Sequence, residues 1–209
     1  IGSGLVGSEM CIRDSHNAVD REKYKYSVQK REEIRGSMGI TDQFVIGHVG
    51  NFCYQKNHYF LLDVFEEVHK KDPNTVLLLA GDGVRFEKVR QIVAEKNLED
   101  VVKLLGRRSD TDYLYQGMDA FLLPSNFEGL PIAGIEAQSA GLPCFMSDEI
   151  TKESKITEAC YFIPLKSGAK YWAEEILDNR MERQSAEFLD NAEQYDLANQ
   201  DQELKSLIR

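Results

Sequence analysis

The chain has 209 residues, 42% hydrophobic and 29% charged, which is the make-up of a globular protein with one large domain or one domain and appendages. With 25 Lys and Arg against 35 Asp and Glu, its formal net charge of -10 argues against a nucleic-acid partner, which would demand a basic face, but permits a local basic pocket. No apolar run approaches the length of a membrane span, the longest being short clusters such as residues 76–80.

In chain order, the string from Leu5 to Ser15, LVGSEMCIRDS, reads as a translated sequencing adapter, so residues 1–15 are expected to be an unstructured artefact. Setting it aside leaves Cys53, Cys144 and Cys160, an odd set without C-x-x-C spacing. Neither a disulfide framework nor a zinc site follows, and a cytoplasmic compartment is the simplest reading. Residues 16–43 are expected to be a linker and surface helix, because 21–36 is charged and helix-prone but lacks a sustained apolar face.

Apolar strands then alternate with amphipathic helices. Phe44 to Val49 is a compact apolar strand, and 57–71 follows with Phe60, Leu61, Val64, Phe65 and Val68 at helical spacing. Residues 76–80 are too uniformly apolar for a one-sided sheet and are expected to be buried on both faces. A helix over 85–96, a strand over 101–105, a helix from Thr111, a strand over 120–123, a helix over 131–140 and a strand over 144–146 continue the pattern. Such units call for a doubly wound, Rossmann-like parallel α/β sheet spanning 44–165. Residues 166–209 are expected to add C-terminal helices over 169–177 and 186–208. His48 reads as a satisfied residue of the sheet, whereas His58 and His69 are expected on helix surfaces.

In sheets of this kind ligands bind beyond the carboxyl ends of the strands. After Leu123 the chain reads PSNFEGLPIAGIEAQ, with Glu128 on a loop and Glu136 inside the following helix. The amides of Gly129 and Leu130, with the helix dipole, can face a diphosphate, while the two carboxylates accept hydrogen bonds from sugar and ribose hydroxyls. After Val49, Gly50 marks a sharp turn and Lys56 lies at a helix start, where an ammonium group can neutralise phosphate. Gly81-Asp82-Gly83 has Phe86 where a dinucleotide fingerprint needs its third glycine, which argues against nicotinamide binding; a tight turn, or one that admits a base, remains. Asp110-Thr111-Asp112 matches an Asp-x-Asp metal pattern, yet its place before a helix favours capping. No metal or other cofactor is expected.

Together, Phe127-Glu128-Gly129-Leu130-Pro131, Glu136-Ala137-Gln138 and the run from Ser147 to Glu153 resemble the C-terminal domain of the retaining GT-B glycosyltransferases, in particular the EpsF-like members of capsular and exopolysaccharide assembly. The spacing of Glu128 and Glu136 is that family's Glu, seven residues, Glu signature. The resemblance implies one half of a GT-B fold that binds a nucleotide-sugar donor, with UDP as the expected nucleotide. Glu128 would lie near the reacting centre, Glu136 on the ribose, Lys56 on the diphosphate, Gly129 and Leu130 on the donor through their backbones, and Arg108 on the base. Asn51 departs from the pattern, since the family usually has Arg directly after the glycine matching Gly50. Leaving-group stabilisation would then rest on Lys56 and the helix dipole. The glycan or lipid-linked acceptor, and any peripheral association with the inner face of the membrane, would belong to an N-terminal domain outside this segment, leaving the fragment inactive alone. Two alternatives stay open: a nucleotide-sugar epimerase of the same fold, and a non-catalytic nucleotide-binding scaffold.

Overall fold

In the computed structural model, which describes residues 19–183 and 185–197, six strands form one parallel sheet in the order β3-β2-β1-β4-β5-β6. The strands are β1 (Phe44–Val49), β2 (Thr75–Ala80), β3 (Val102–Gly106), β4 (Ala120–Leu123), β5 (Cys144–Ser147) and β6 (Cys160–Ile163). The helices are α1 (Arg21–Tyr24), α2 (Val28–Ser37), α3 (His58–Lys71), α4 (Phe86–Glu95), α5 (Thr111–Gly117), α6 (Ile132–Ser139) and α7 (Gly168–Asp178). The expected α/β alternation is therefore present, with β6 as an added edge strand that its short run did not announce. The adapter-like residues 1–15 lie outside the described part.

The pleat of each strand divides its side chains between two cores. Val45, Leu78, Phe121 and Leu123 face one side, where α1, α2, α5 and α6 pack. Ile46, Leu77, Leu79 and Leu122 face the other, against α3, α4 and α7. All six residues of β2 are buried, as its uniform apolarity requires. Each such buried aliphatic side chain contributes about 1.5–3 kcal/mol.

The charged segment expected as a linker or surface helix is instead docked, with Tyr24, Ile34 and Arg35 buried. Its anchor is ionic, which is why no apolar stripe betrays it. Arg31 and Arg35 pair with Asp119 at 2.5 and 3.1 Å, and the same carboxylate accepts the Val45 amide at 2.7 Å, joining α2 to the edge of β1. Arg183 lies buried nearby, donating to the carbonyls of Tyr115 and Ala140 at 3.0 and 2.7 Å. Burial, followed by the neighbouring Arg31, brings its pKa down to about 10. The helix expected over 186–208 differs too. Its described part carries a 3-10 turn, Asp190–Tyr195, with Tyr195 buried, and the rest lies outside the described residues.

Two histidines correct the sequence reading. His58, expected on a helix surface, is buried and stacked on Phe52 at 4.0 Å. His48 bonds the Leu122 carbonyl through Nδ1 at 2.8 Å, tying β1 to β4, but its Nε2 and both His58 nitrogens have no hydrogen-bond partner among the described residues. Burial, then the His58 ring, holds His48 well below the ordinary imidazole value; burial, then Lys56 and Arg85, lowers His58 from 6.5 to about 4. Unfolded imidazoles take up protons near pH 6.5 and these do not, so the unfolded state binds the extra protons and stability falls as pH drops from 6.5 toward 4. For His58 the expected loss is about 2 kcal/mol by about pH 5, and His48 acts in the same direction. Urea denaturation of wild type and His58→Leu checks this: the variant should show a shallower loss between about pH 7 and pH 5, and parallel losses would contradict it.

Candidate functional site

A cleft of about 420 Å³ opens over the carboxyl ends of β1 to β4. Its walls come from Val49 to Asn51 after β1, Ala80 to Asp82 after β2, Arg107 and Arg108 after β3, Thr111 of α5, and Leu130, Ile132, Ala133 and Glu136 around the start of α6. It straddles the point where β1 has β2 on one side and β4 on the other, so successive crossovers diverge and leave the strand ends uncovered. Gly50, Asn51, Lys56, Arg108, Glu128, Leu130 and Glu136 all line it. Gly129 is exposed and is not part of the lining. Because α6 begins at Ile132, the first-turn amides that lack an intrahelical partner are those of Ile132 and Ala133, both on the cleft wall.

Two loops are clasped to bring the charges together. The Asn126 amide donates to the Gln55 carbonyl at 2.8 Å, and its side chain donates to the Tyr54 carbonyl at 2.7 Å. Across this clasp the Lys56 ammonium group meets Glu128 Oε1, while Ser125 donates to Oε2 at 2.9 Å. The Glu128 amide reaches the Glu149 carbonyl at 3.3 Å, which pins the loop to the segment after β5. Lys56 and Glu128, assigned from the sequence to separate parts of a ligand, thus pair with each other in a setting where both are nearly buried. An anion entering here must share or replace the carboxylate at Lys56.

Around the rim, Arg108 donates to both oxygens of Asp110 at 2.8 and 2.6 Å. That fork holds the Asp110 carboxyl below its usual range and corrects the capping assignment: Asp110 occupies the N-cap position of α5 but makes no side-chain capping bond. Asp112 is buried, 3.5 Å from the Lys23 ammonium group. Arg107 lines the cleft and forms no ion pair among the described residues. No group of three His, Cys, Asp or Glu side chains among the described residues could hold a metal ion.

Sequence reasoning missed the partners of Glu136. Tyr24 and Tyr115 donate to its two oxygens at 2.6 and 2.9 Å. Nothing at fixed spacing could have revealed Tyr24, which lies 112 residues away in a charged segment. Gln138, quoted above as part of the motif, serves the scaffold: it donates to the Ser154 carbonyl at 2.8 Å and accepts the Ile156 and Thr157 amides at 2.8 and 3.1 Å.

The sheet order, the covering helices and the cleft at the strand-order reversal define a Rossmann-like α/β protein of the GT-B type. The chain belongs to the family Glycosyl transferases group 1, whose model matches residues 30–195. It is similar to the putative glycosyltransferase EpsF of Bacillus subtilis, 36% identical over 138 residues, covering 66% of this chain and 36% of that protein. It is also similar to the UDP-Gal:alpha-D-GlcNAc-diphosphoundecaprenol alpha-1,3-galactosyltransferase of Escherichia coli, 30% identical over 154 residues, covering 67% and 40%. The chain thus spans two fifths or less of the length of these relatives. In fold it matches Anabaena Alr3699/HepE, solved in complex with UDP and glucose, with a TM-score of 0.77 at 21% identity over 92% of this chain and 55% of that one. It likewise matches the C-terminal domain of LpcC from Francisella tularensis, with a TM-score of 0.62 at 18% identity over 77% and 86% of the two chains.

The glycine turn after β2 is a packing requirement. Gly81 has φ +142°, and a Cβ there would lie 1.9 Å from the Gly50 carbonyl oxygen; at Gly83, with φ +153°, it would lie 2.7 Å from that of Phe52. Backbone packing alone requires glycine at both positions. Gly81→Ala is expected to cost about 2–4 kcal/mol, read as a lowered thermal midpoint, and an unchanged midpoint would refute the close approach.

Proposed function

We propose that this chain is the donor-binding half of a retaining glycosyltransferase that takes a sugar from a UDP-sugar and delivers it to a glycan or lipid-linked acceptor in polysaccharide biosynthesis. The observation that carries the reading is the convergence of Lys56, Glu128, Glu136 and the start of α6 on one cleft at the strand-order reversal, in a chain of this family. A relative named for a UDP-galactose donor and a diphosphoundecaprenol acceptor supports the choice of substrates.

In the reaction, the acceptor hydroxyl bonds to the anomeric carbon on the face from which the diphosphate departs. The bond between that carbon and the diphosphate oxygen breaks with both electrons going to the oxygen, and the hydroxyl proton passes to the leaving diphosphate. Charge therefore accumulates on the diphosphate. Lys56 and the amides of Ile132 and Ala133 are the groups at hand to stabilise it, and Arg107, without an ion pair among the described residues, adds a cation on the rim. Asn51 contributes hydrogen bonds but no charge where the family usually has Arg. As a phosphate takes Lys56, Glu128 is released toward the sugar, where it orients a hydroxyl rather than acting as a nucleophile. Acceptor binding is assigned to a part of the protein outside this chain, which matches well under half of its relatives' length.

Calorimetry with UDP checks the reading. Wild type should bind, Lys56→Ala should weaken binding roughly 10- to 100-fold, and Glu136→Ala roughly tenfold. Equal and negligible heats for all three would overturn it.

A further inference from the structure

Glu136 sits on the cleft wall, yet both of its oxygens already accept a hydrogen bond from behind. Tyr24 of α1 donates to Oε1 at 2.6 Å and Tyr115 of α5 to Oε2 at 2.9 Å. An ionised carboxylate offers about four lone-pair directions, so two phenols leave about two free. Those two belong to different oxygens, the arrangement that a pair of adjacent hydroxyls on one sugar ring requires.

The tyrosines are themselves fixed. Tyr115 is fully buried and Tyr24 nearly so, with their rings edge to face at 5.8 Å. Gln116 donates to the Tyr24 carbonyl at 3.0 Å and accepts the Ser27 amide at 3.0 Å, so the backbone of α1 is held to α5 independently of the phenol. Burial, then the Glu136 carboxylate, raises the Tyr24 and Tyr115 hydroxyls well above their usual values, which keeps both protonated and donating. Thr111, whose hydroxyl interacts with the Tyr24 phenol, lines the same cleft.

We propose that Tyr24 and Tyr115 are positioning residues that lock the Glu136 carboxylate as a two-point acceptor for the 2′- and 3′-hydroxyls of a ribonucleotide, so that ribose selectivity depends on the docking of α1. This rests on the nucleotide-sugar reading above. A rigid acceptor of this kind loses little freedom when the sugar binds, and a freed Glu136 would have to be ordered at that moment.

The test measures affinity of the whole 209-residue chain for UDP and for 2′,3′-dideoxyuridine diphosphate by calorimetry. Wild type should prefer UDP. Tyr24→Phe, which keeps the ring and the Gln116 contact, should weaken UDP binding roughly five- to tenfold and leave the dideoxy ligand unchanged. Tyr115→Phe should act in the same direction. Several results overturn the proposal: tighter UDP binding by the variants, which would make the phenols competitors of the ribose; equal weakening toward both ligands, which would make them purely structural; or no preference in wild type. Failure of wild type to bind either ligand would remove the nucleotide-sugar reading and this proposal with it.

Discussion

In a parallel sheet covered by helices on both faces, the interior strands leave their backbone accessible only at their ends, and that constraint governs the rest of this molecule. β1 and β4 are neighbours in the sheet although 70 residues of chain separate their ends, so the crossovers after them run to opposite sides. The loops that follow Val49 and Leu123 are therefore forced apart at the floor and must be rejoined above it. Asn126 does this by bonding the Tyr54 and Gln55 carbonyls. The Lys56–Glu128 pair then sits where the sheet cannot close.

The cleft is electrostatically prepared rather than simply basic. Lys56 faces Glu128, Arg108 is forked onto Asp110, and Glu136 is held by two phenols. Such pairing suits a protein whose overall charge is strongly acidic, since Lys56 and Arg108 are stabilised before a ligand arrives. It also sets a selectivity rule. A ligand gains from Lys56 only by supplying an anion that outcompetes a nearly buried carboxylate; on the proposed function a diphosphate is that anion, and a neutral sugar is not.

The strands and helices of 44–147 were legible because burial on both faces writes itself as apolar runs, and helix packing as a helical period. Glu128, Lys56 and Glu136 were legible for a different reason: they follow strand ends at short, motif-like distances. The docking of α1 and α2 was not, because Arg31 and Arg35 are held by Asp119 rather than by an apolar stripe, and a charged helix reads as solvated. His58 was misplaced because a single imidazole gives no pattern; only the packed structure shows Phe52 stacked on it. Tyr24 and Tyr115 belong to the same class, since their meaning lies in contacts made across the fold.

The most direct measurement is a crystal structure of the chain with UDP at saturating concentration. Diphosphate oxygens are expected on the Lys56 ammonium group and the first-turn amides of α6, ribose hydroxyls on Glu136, and Glu128 released from Lys56. A nucleotide bound elsewhere, or one in the cleft with the Lys56–Glu128 pair intact and Glu136 untouched, would contradict it.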